Sequence, residues 1–165
     1  MCLMTKLSEP LIATHDIPCY KILNMRPSRV CVGGMEYLSP FQYKHYYVGC
    51  VNYASLYQPA IKYLENDKGE ITYFIKEGFL HCYTKEGVLS LNDEEFNFSF
   101  YTYLFDCFIP KGSQYYISKD GKEICSPKLY VTDKGMLLKD KVKNSKRYGG
   151  LRGINSETYY LVNKD

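Results

Sequence analysis

The sequence predicts an α+β protein that is strand-rich, a single domain with one or two short helices. Three observations lead there. Tyrosine and phenylalanine are abundant, at 18 and 8 residues with no tryptophan, and aromatic rings suit pleated, half-buried strands. Turn signatures separate short apolar runs, notably Asn66-Asp67-Lys68-Gly69 and Lys119-Asp120-Gly121-Lys122. Helical patterning is scarce. At 165 residues one domain is expected, large enough to bury roughly 70% of the surface its unfolded chain exposes.

The elements follow in chain order. Residues 17–23 read as a first strand, with Pro18 marking an edge or a strand start. Residues 24–29, holding Pro27 and two arginines, read as a loop. Residues 37–42 give a short ordered piece broken by Pro40, and residues 46–51 the next strand. Residues 56–64 are expected to form a short helix, restricted by Pro59 to the part that follows it. The turn at 66–70 leads into a loosely alternating strand at 71–75. A strand ending near His81 comes next, then a helix start at 84–89, where Thr84 can cap exposed amides. Gly87 weakens that helix. Residues 98–109 form a long aromatic strand at the sheet centre, turned by residues 110–112. Residues 115–118 enter the second hairpin turn, and 124–132 return as a strand interrupted at Pro127. The globular domain is thus expected over 1–132. Residues 133–165 form a basic, glycine-containing C-terminal segment ending in a short strand at 159–162.

Composition excludes several classes. The seven cysteines are odd in number and lack a CxxC or other close pair, so reduced thiols in a cytoplasmic protein are expected rather than a disulfide framework or a zinc site. Residues 1–8 are too short and polar for a secretory leader. No apolar run approaches the ~18 residues of a membrane span. The net charge is +3, and the basic residues Lys134, Lys139, Lys141, Lys143, Lys146, Arg147 and Arg152 lack the aromatic interleaving of single-strand binders. Specific nucleic-acid recognition is not expected.

The most informative run is Glu77-Gly78-Phe79-Leu80-His81-Cys82-Tyr83-Thr84. It places a histidine at the end of an apolar strand beside hydroxylated residues, where a fold presents polar groups to a ligand. His81 reads equally as a core histidine satisfied by the backbone. Successive strand residues point to opposite faces, so a Cys82–His81 dyad is rejected.

This run resembles a family of small bacterial proteins that carry Gly-Phe-Ile-His-Cys-Ser, then a threonine and a short helix. They have an ADP-ribosyltransferase-like fold, which implies a split β-sheet core. Leu80 here replaces isoleucine and Tyr83 replaces the small hydroxyl residue. The stretch from Cys107-Phe108-Ile109-Pro110-Lys111-Gly112 to Glu123 is similar to ADP-ribosyltransferase-like domains more broadly. There, a glutamate opening the strand after a hairpin contacts the nicotinamide ribose. Glu123 is the matching position, and Gly121 stands where active enzymes usually have a second glutamate or glutamine. The opening pattern around residues 16–21 and 37–41 resembles proteins of phages and gut Bacteroidota.

These resemblances imply a nucleotide-derived ligand, NAD or an ADP-ribose derivative, with no cofactor required. The diphosphate of such a ligand favours cations, for which Lys21, Arg26 and Arg29 are candidates. Its base favours an aromatic wall, from Tyr37, Phe41, Tyr43 or Tyr83. Its ribose hydroxyls favour Ser39, His81 or Glu123. The bland reading leaves Lys21 facing solvent on an alternating strand. The expectation is a small binder, by analogy a phage anti-defence sponge for an NAD-derived signal. An active transferase or NAD glycohydrolase using Glu123 and His81, and a virion or other structural protein, stand as alternatives. Exposed edges and tyrosines make a homodimer plausible.

Overall fold

A computed structural model of the chain describes residues 3–30, 32–40, 44–55, 59, 61–75, 78–91 and 102–137. In chain order the strands are β1 (Leu3–Thr5), β2 (Leu11–Ile12), β3 (Ile17–Pro27), β4 (Met35–Leu38), β5 (His45–Tyr46), β6 (Cys50–Tyr53), β7 (Ile61–Glu65), β8 (Ile71–Ile75) and β9 (Leu80–Tyr83). The helix α1 (Lys85–Leu89) precedes β10 (Thr102–Ile109), β11 (Gln114–Ile117), β12 (Glu123–Ser126) and β13 (Lys128–Leu137). Strands dominate, as the aromatic and turn content predicts, and α1 is the one helix among the described residues.

The long strands β3 and β10 pair antiparallel from Ile17↔Ile109 to Asn24↔Thr102 and anchor a large sheet. Its order is β2-β11-β12-β9-β3-β10-β13-β6, with the β4–β5 arm branching from β3. A smaller sheet runs β1-β8-β7. Strand β9 joins β3 at Tyr20↔Tyr83, so Pro18 is paired only with Phe108 on the β10 side among the described residues. A residue without an N–H fits such a strand start.

Register divides the side chains between two faces. One carries Cys19, Leu23, Leu80, Cys82, Phe105, Cys107, Ile124, Leu129 and Val131, a single buried cluster joined by Tyr46 of the β4–β5 arm. The other is covered in two patches. Helix α1 brings Val88 onto Tyr20, Ile22, Tyr83 and Leu104, and the small sheet brings Leu3 and Ile75 onto Phe79, Tyr116 and Cys125. Each fully buried aliphatic residue of this kind contributes about 1.5–3 kcal/mol.

Several expectations are corrected. Residues 24–27 are not loop, because Asn24, Met25, Arg26 and Pro27 pair with Leu38, Tyr37, Glu36 and Met35 of β4. The run at 46–51 is not one strand. Gly49, at φ 82°, turns the chain, and buried Asn52 holds that turn by accepting from Tyr47 N (2.7 Å) and donating to Tyr47 O (2.8 Å). The helix expected at 56–64 is replaced from Ile61 by β7, which pairs with β8 across the Asn66–Glu70 turn. Here a distant partner strand outweighs weak local preference. Strand β13 continues to Leu137, past the boundary expected at 132. The strand expected at 159–162 and the start of the one at 98–109 lie outside the described residues.

Other expectations match. Gly69 (φ 78°), Gly112 (φ 86°) and Gly121 (φ 73°) occupy the left-handed region at the three predicted turns. Thr84 caps α1, its Oγ1 accepting from Gly87 N at 3.1 Å. Pro127 separates β12 from β13. Cys19, Cys50, Cys82, Cys107 and Cys125 are free thiols. Among the described residues no helix is long and apolar enough to cross a membrane.

Candidate functional site

The β9–β12 ladder fixes which candidate groups meet. Glu123 lies opposite Tyr83, and Cys125 opposite His81. Directly paired residues project to the same face, so His81, Tyr83 and Glu123 share one. Glu123 is a diagonal neighbour of His81, a relation that sets Cα atoms about 7–8 Å apart. Tyr83 itself lies beneath α1, and Cys125, opposite His81, lies beneath the small sheet.

The turn leading to Glu123 is built by its own short side chains. Ser118 Oγ donates to Asp120 Oδ1 at 2.6 Å, and Lys122 N donates to the same oxygen at 3.0 Å. The Ser118 hydroxyl, then the Lys122 amide, hold the Asp120 carboxyl below its ordinary range. Glu123 N donates to Ser118 Oγ at 3.0 Å. Helix α1 is tied to this turn through Thr84, whose N–H donates to Lys122 O (3.0 Å) and whose hydroxyl donates to Gly121 O (2.6 Å). Lys85 and Lys122 therefore flank the same edge, a placement that nothing in their sequence context signals.

Exposure separates the three side chains. Glu123 is half-buried; desolvation raises its carboxyl above the ordinary value, and the nearby Asp120 charge adds to that. Tyr83 is buried, and His81 is only 4% exposed. The imidazole thus forms part of the floor of this face instead of standing at its surface.

Lys21 sits elsewhere. It pairs with Phe105 in register and projects to the face of Cys19 and Cys107, opposite to that of His81 and Glu123. The solvent-facing expectation is corrected as well: Lys21 is 9% exposed. Its Nζ donates to the His81 carbonyl and stands 5.0 Å from the Tyr46 ring centroid, a cation–π contact. It fills the fork where β3 passes from pairing with β9 to pairing with β4. Desolvation lowers its amine below the ordinary lysine value, and burial raises the Cys19 and Cys107 thiols, leaving them in the protonated, inert form. Tyr46 is central to this arrangement, and its sequence context signals only a place in a strand.

The remaining candidates disperse along β3 and β4. Arg26 Nε is paired with Glu36 Oε2 at 2.9 Å, and that bond is the main cause lowering the Glu36 carboxyl. Arg29 is exposed in the loop between these strands, its backbone N–H donating to Glu36 Oε1 at 3.3 Å. Tyr37 packs edge-on against Phe105 at 5.4 Å, on the Lys21 face. Ser39 is buried, its Oγ accepting from Lys44 N at 3.0 Å. Phe41 and Tyr43 lie outside the described residues.

The expected single cluster therefore resolves into two. His81, Tyr83 and Glu123 share one face, while Lys21 and Tyr37 share the other; Arg26 is paired with Glu36, and Arg29 is exposed in the adjoining loop. Among the described residues no group of three or more His, Cys, Asp or Glu side chains is placed to hold a metal ion. No family model, curated protein or solved structure matches this chain.

Proposed function

We propose that this chain is a small, non-catalytic binding protein for a nucleotide-derived ligand of the ADP-ribose or NAD type. The reading includes an ADP-ribosyltransferase-like fold, a cytoplasmic setting and, in a phage, capture of an NAD-derived defence signal. The observation that carries it is the β9–β12 register, which sets the Glu123 carboxyl and the Tyr83 phenol side by side at the edge flanked by Lys85 and Lys122. A carboxylate accepts from ribose hydroxyls and ammonium groups offset phosphate charge, while the Tyr83 ring, buried beneath α1, supports the site from within the core. Lys21, Arg26 and Arg29 take no part in this version of the site.

Binding is favoured over turnover by an incomplete motif: Gly121 stands where active enzymes of the resembled family usually have a second glutamate or glutamine, and the His81 side chain is buried.

A thermal-shift series with NAD, ADP-ribose and cyclic ADP-ribose tests the proposal. A ligand at 100-fold its dissociation constant adds about 2.7 kcal/mol of stability, and Glu123→Gln is expected to abolish the shift while the protein stays folded. No shift across the panel, confirmed by calorimetry, removes the binding reading. Nicotinamide release from NAD, lost in Glu123→Gln, would replace it with glycohydrolase activity.

A further inference from the structure

We propose that the large sheet is hinged along the junction of β9 with β3, and that the Lys21 ammonium is the pin that keeps this seam closed. On its other edge β3 pairs continuously with β10, from Ile17↔Ile109 to Asn24↔Thr102, and β9 pairs with β12 along its whole length. Between β9 and β3, in contrast, the described residues register at the one position Tyr20↔Tyr83. The seam divides the fold into two bodies. One holds β2-β11-β12-β9. Helix α1 belongs to it, bound through Thr84 to the Gly121 and Lys122 carbonyls, and so does the small sheet, whose Met4 carbonyl and Thr72 hydroxyl accept from Lys119. The other body holds β3-β10-β13-β6 and the β4–β5 arm.

Hinge and pin lie at different points along β3. The chain crosses the seam at residues 13–16, entering β3, and at 110–113, leaving β10. These crossings are stitched to one another: Ala13 N donates to Ser113 O at 2.9 Å, Gly112 N to Ala13 O at 2.8 Å, and Lys111 N to Asp16 Oδ1 at 2.9 Å. Past Tyr20 the β9 ladder stops, and β3 pairs with β4 from Asn24 onward. Between the two partners the Lys21 side chain takes over. Its Nζ reaches from β3 to the His81 carbonyl on β9 and stands over the Tyr46 ring of the arm. Side-chain packing supplies the rest of the junction. Leu80, Cys82 and Ile124 of one body cluster with Cys19, Leu23 and Phe105 of the other, and across the sheet Val88 and Tyr83 cluster with Tyr20, Ile22 and Leu104. A junction with so few backbone bonds is where a sheet opens without unfolding globally.

The chain's own thiols test this. Cys19 on β3 and Cys82 on β9 flank the seam, whereas Cys125 lies on the opposite face beneath the small sheet, inside the first body. All three are at most 1% exposed, so a thiol reagent reaches each only when its surroundings open. Initial rates of N-ethylmaleimide labelling are measured on the full chain, mapped by mass spectrometry and normalised to the chain unfolded in urea. Cys19 and Cys82 are expected to label about tenfold faster than Cys125, or more. Lys21→Met is expected to raise the first two rates about tenfold again, the weight of one hydrogen bond to a charged group, and to leave Cys125 unchanged. A general loss of stability does not produce that split. Equal normalised rates at all three cysteines in the wild type overturn the hinge, as does fast labelling confined to one of the flanking pair. A Lys21→Met effect that is absent, or shared by Cys125, overturns the pin. Should Lys21→Met fail to fold, Tyr46→Leu, which takes the ring away from the ammonium, is read in its place with the same expectations.

Discussion

Replacing Gly87 by alanine sets helix propensity against packing, and the two give opposite signs. In an exposed helix interior the change stabilises by about 1 kcal/mol. Here a Cβ on Gly87 would lie 1.9 Å from the Lys122 carbonyl oxygen and 2.8 Å from its carbonyl carbon. Ordinary contact begins at 3.4 Å, so α1 must retreat by roughly 1.5 Å (3.4 minus 1.9) from the turn before β12. The neighbour is backbone and cannot rotate away. Overpacking of this kind costs about 1–3 kcal/mol. The retreat also strains the two Thr84 hydrogen bonds to the Gly121 and Lys122 carbonyls, each worth about 1 kcal/mol. Set against the propensity gain, Gly87→Ala is expected to destabilise by about 2–4 kcal/mol. Urea unfolding read by far-UV circular dichroism and tyrosine fluorescence measures it, since the chain has 18 tyrosines and no tryptophan. Lys85→Ala, at an exposed position of the same helix, is the near-neutral control. A Gly87→Ala protein as stable as the wild type would refute the packing argument and return the decision to propensity.

Two further outcomes follow from the charged groups. Lys21 has a folded-state value below its ordinary 10.5, so between the two values the unfolded chain holds the extra proton and stability rises with pH. The difference in unfolding free energy between wild type and Lys21→Met should therefore climb across that window. A flat difference would show that the buried amine is not desolvated. Glu123 has the reverse sign for a carboxyl, its raised value making the folded state hold a proton longer. Glu123→Gln is expected to stabilise the protein at pH 7, with the gain vanishing once both states are protonated, below the ordinary 4.5; destabilisation at pH 7 would mean that the carboxylate is favourably solvated or paired.

Features set by local chemistry are legible along the chain. The three glycine turns, the Thr84 cap, the Pro127 break and the strand character of the aromatic runs rest on backbone freedom, missing donors and side chains reaching their own amides. Each is decided within a few residues. Tertiary structure alone decided the faces. A two-residue period says that Lys21 and His81 alternate with their neighbours, but not which side of the sheet each takes. That depends on Tyr20 meeting Tyr83 and Lys21 meeting Phe105, pairings between segments remote in the chain. These contacts bury an ammonium that alternation assigns to solvent, and a separate pairing with Ile71–Ile75 makes a strand of Ile61–Glu65 where local preference reads a helix. The candidate site followed suit. Its residue types could be read from the sequence, whereas their division between two faces is a property of register, and register is fixed by partners that no local pattern names.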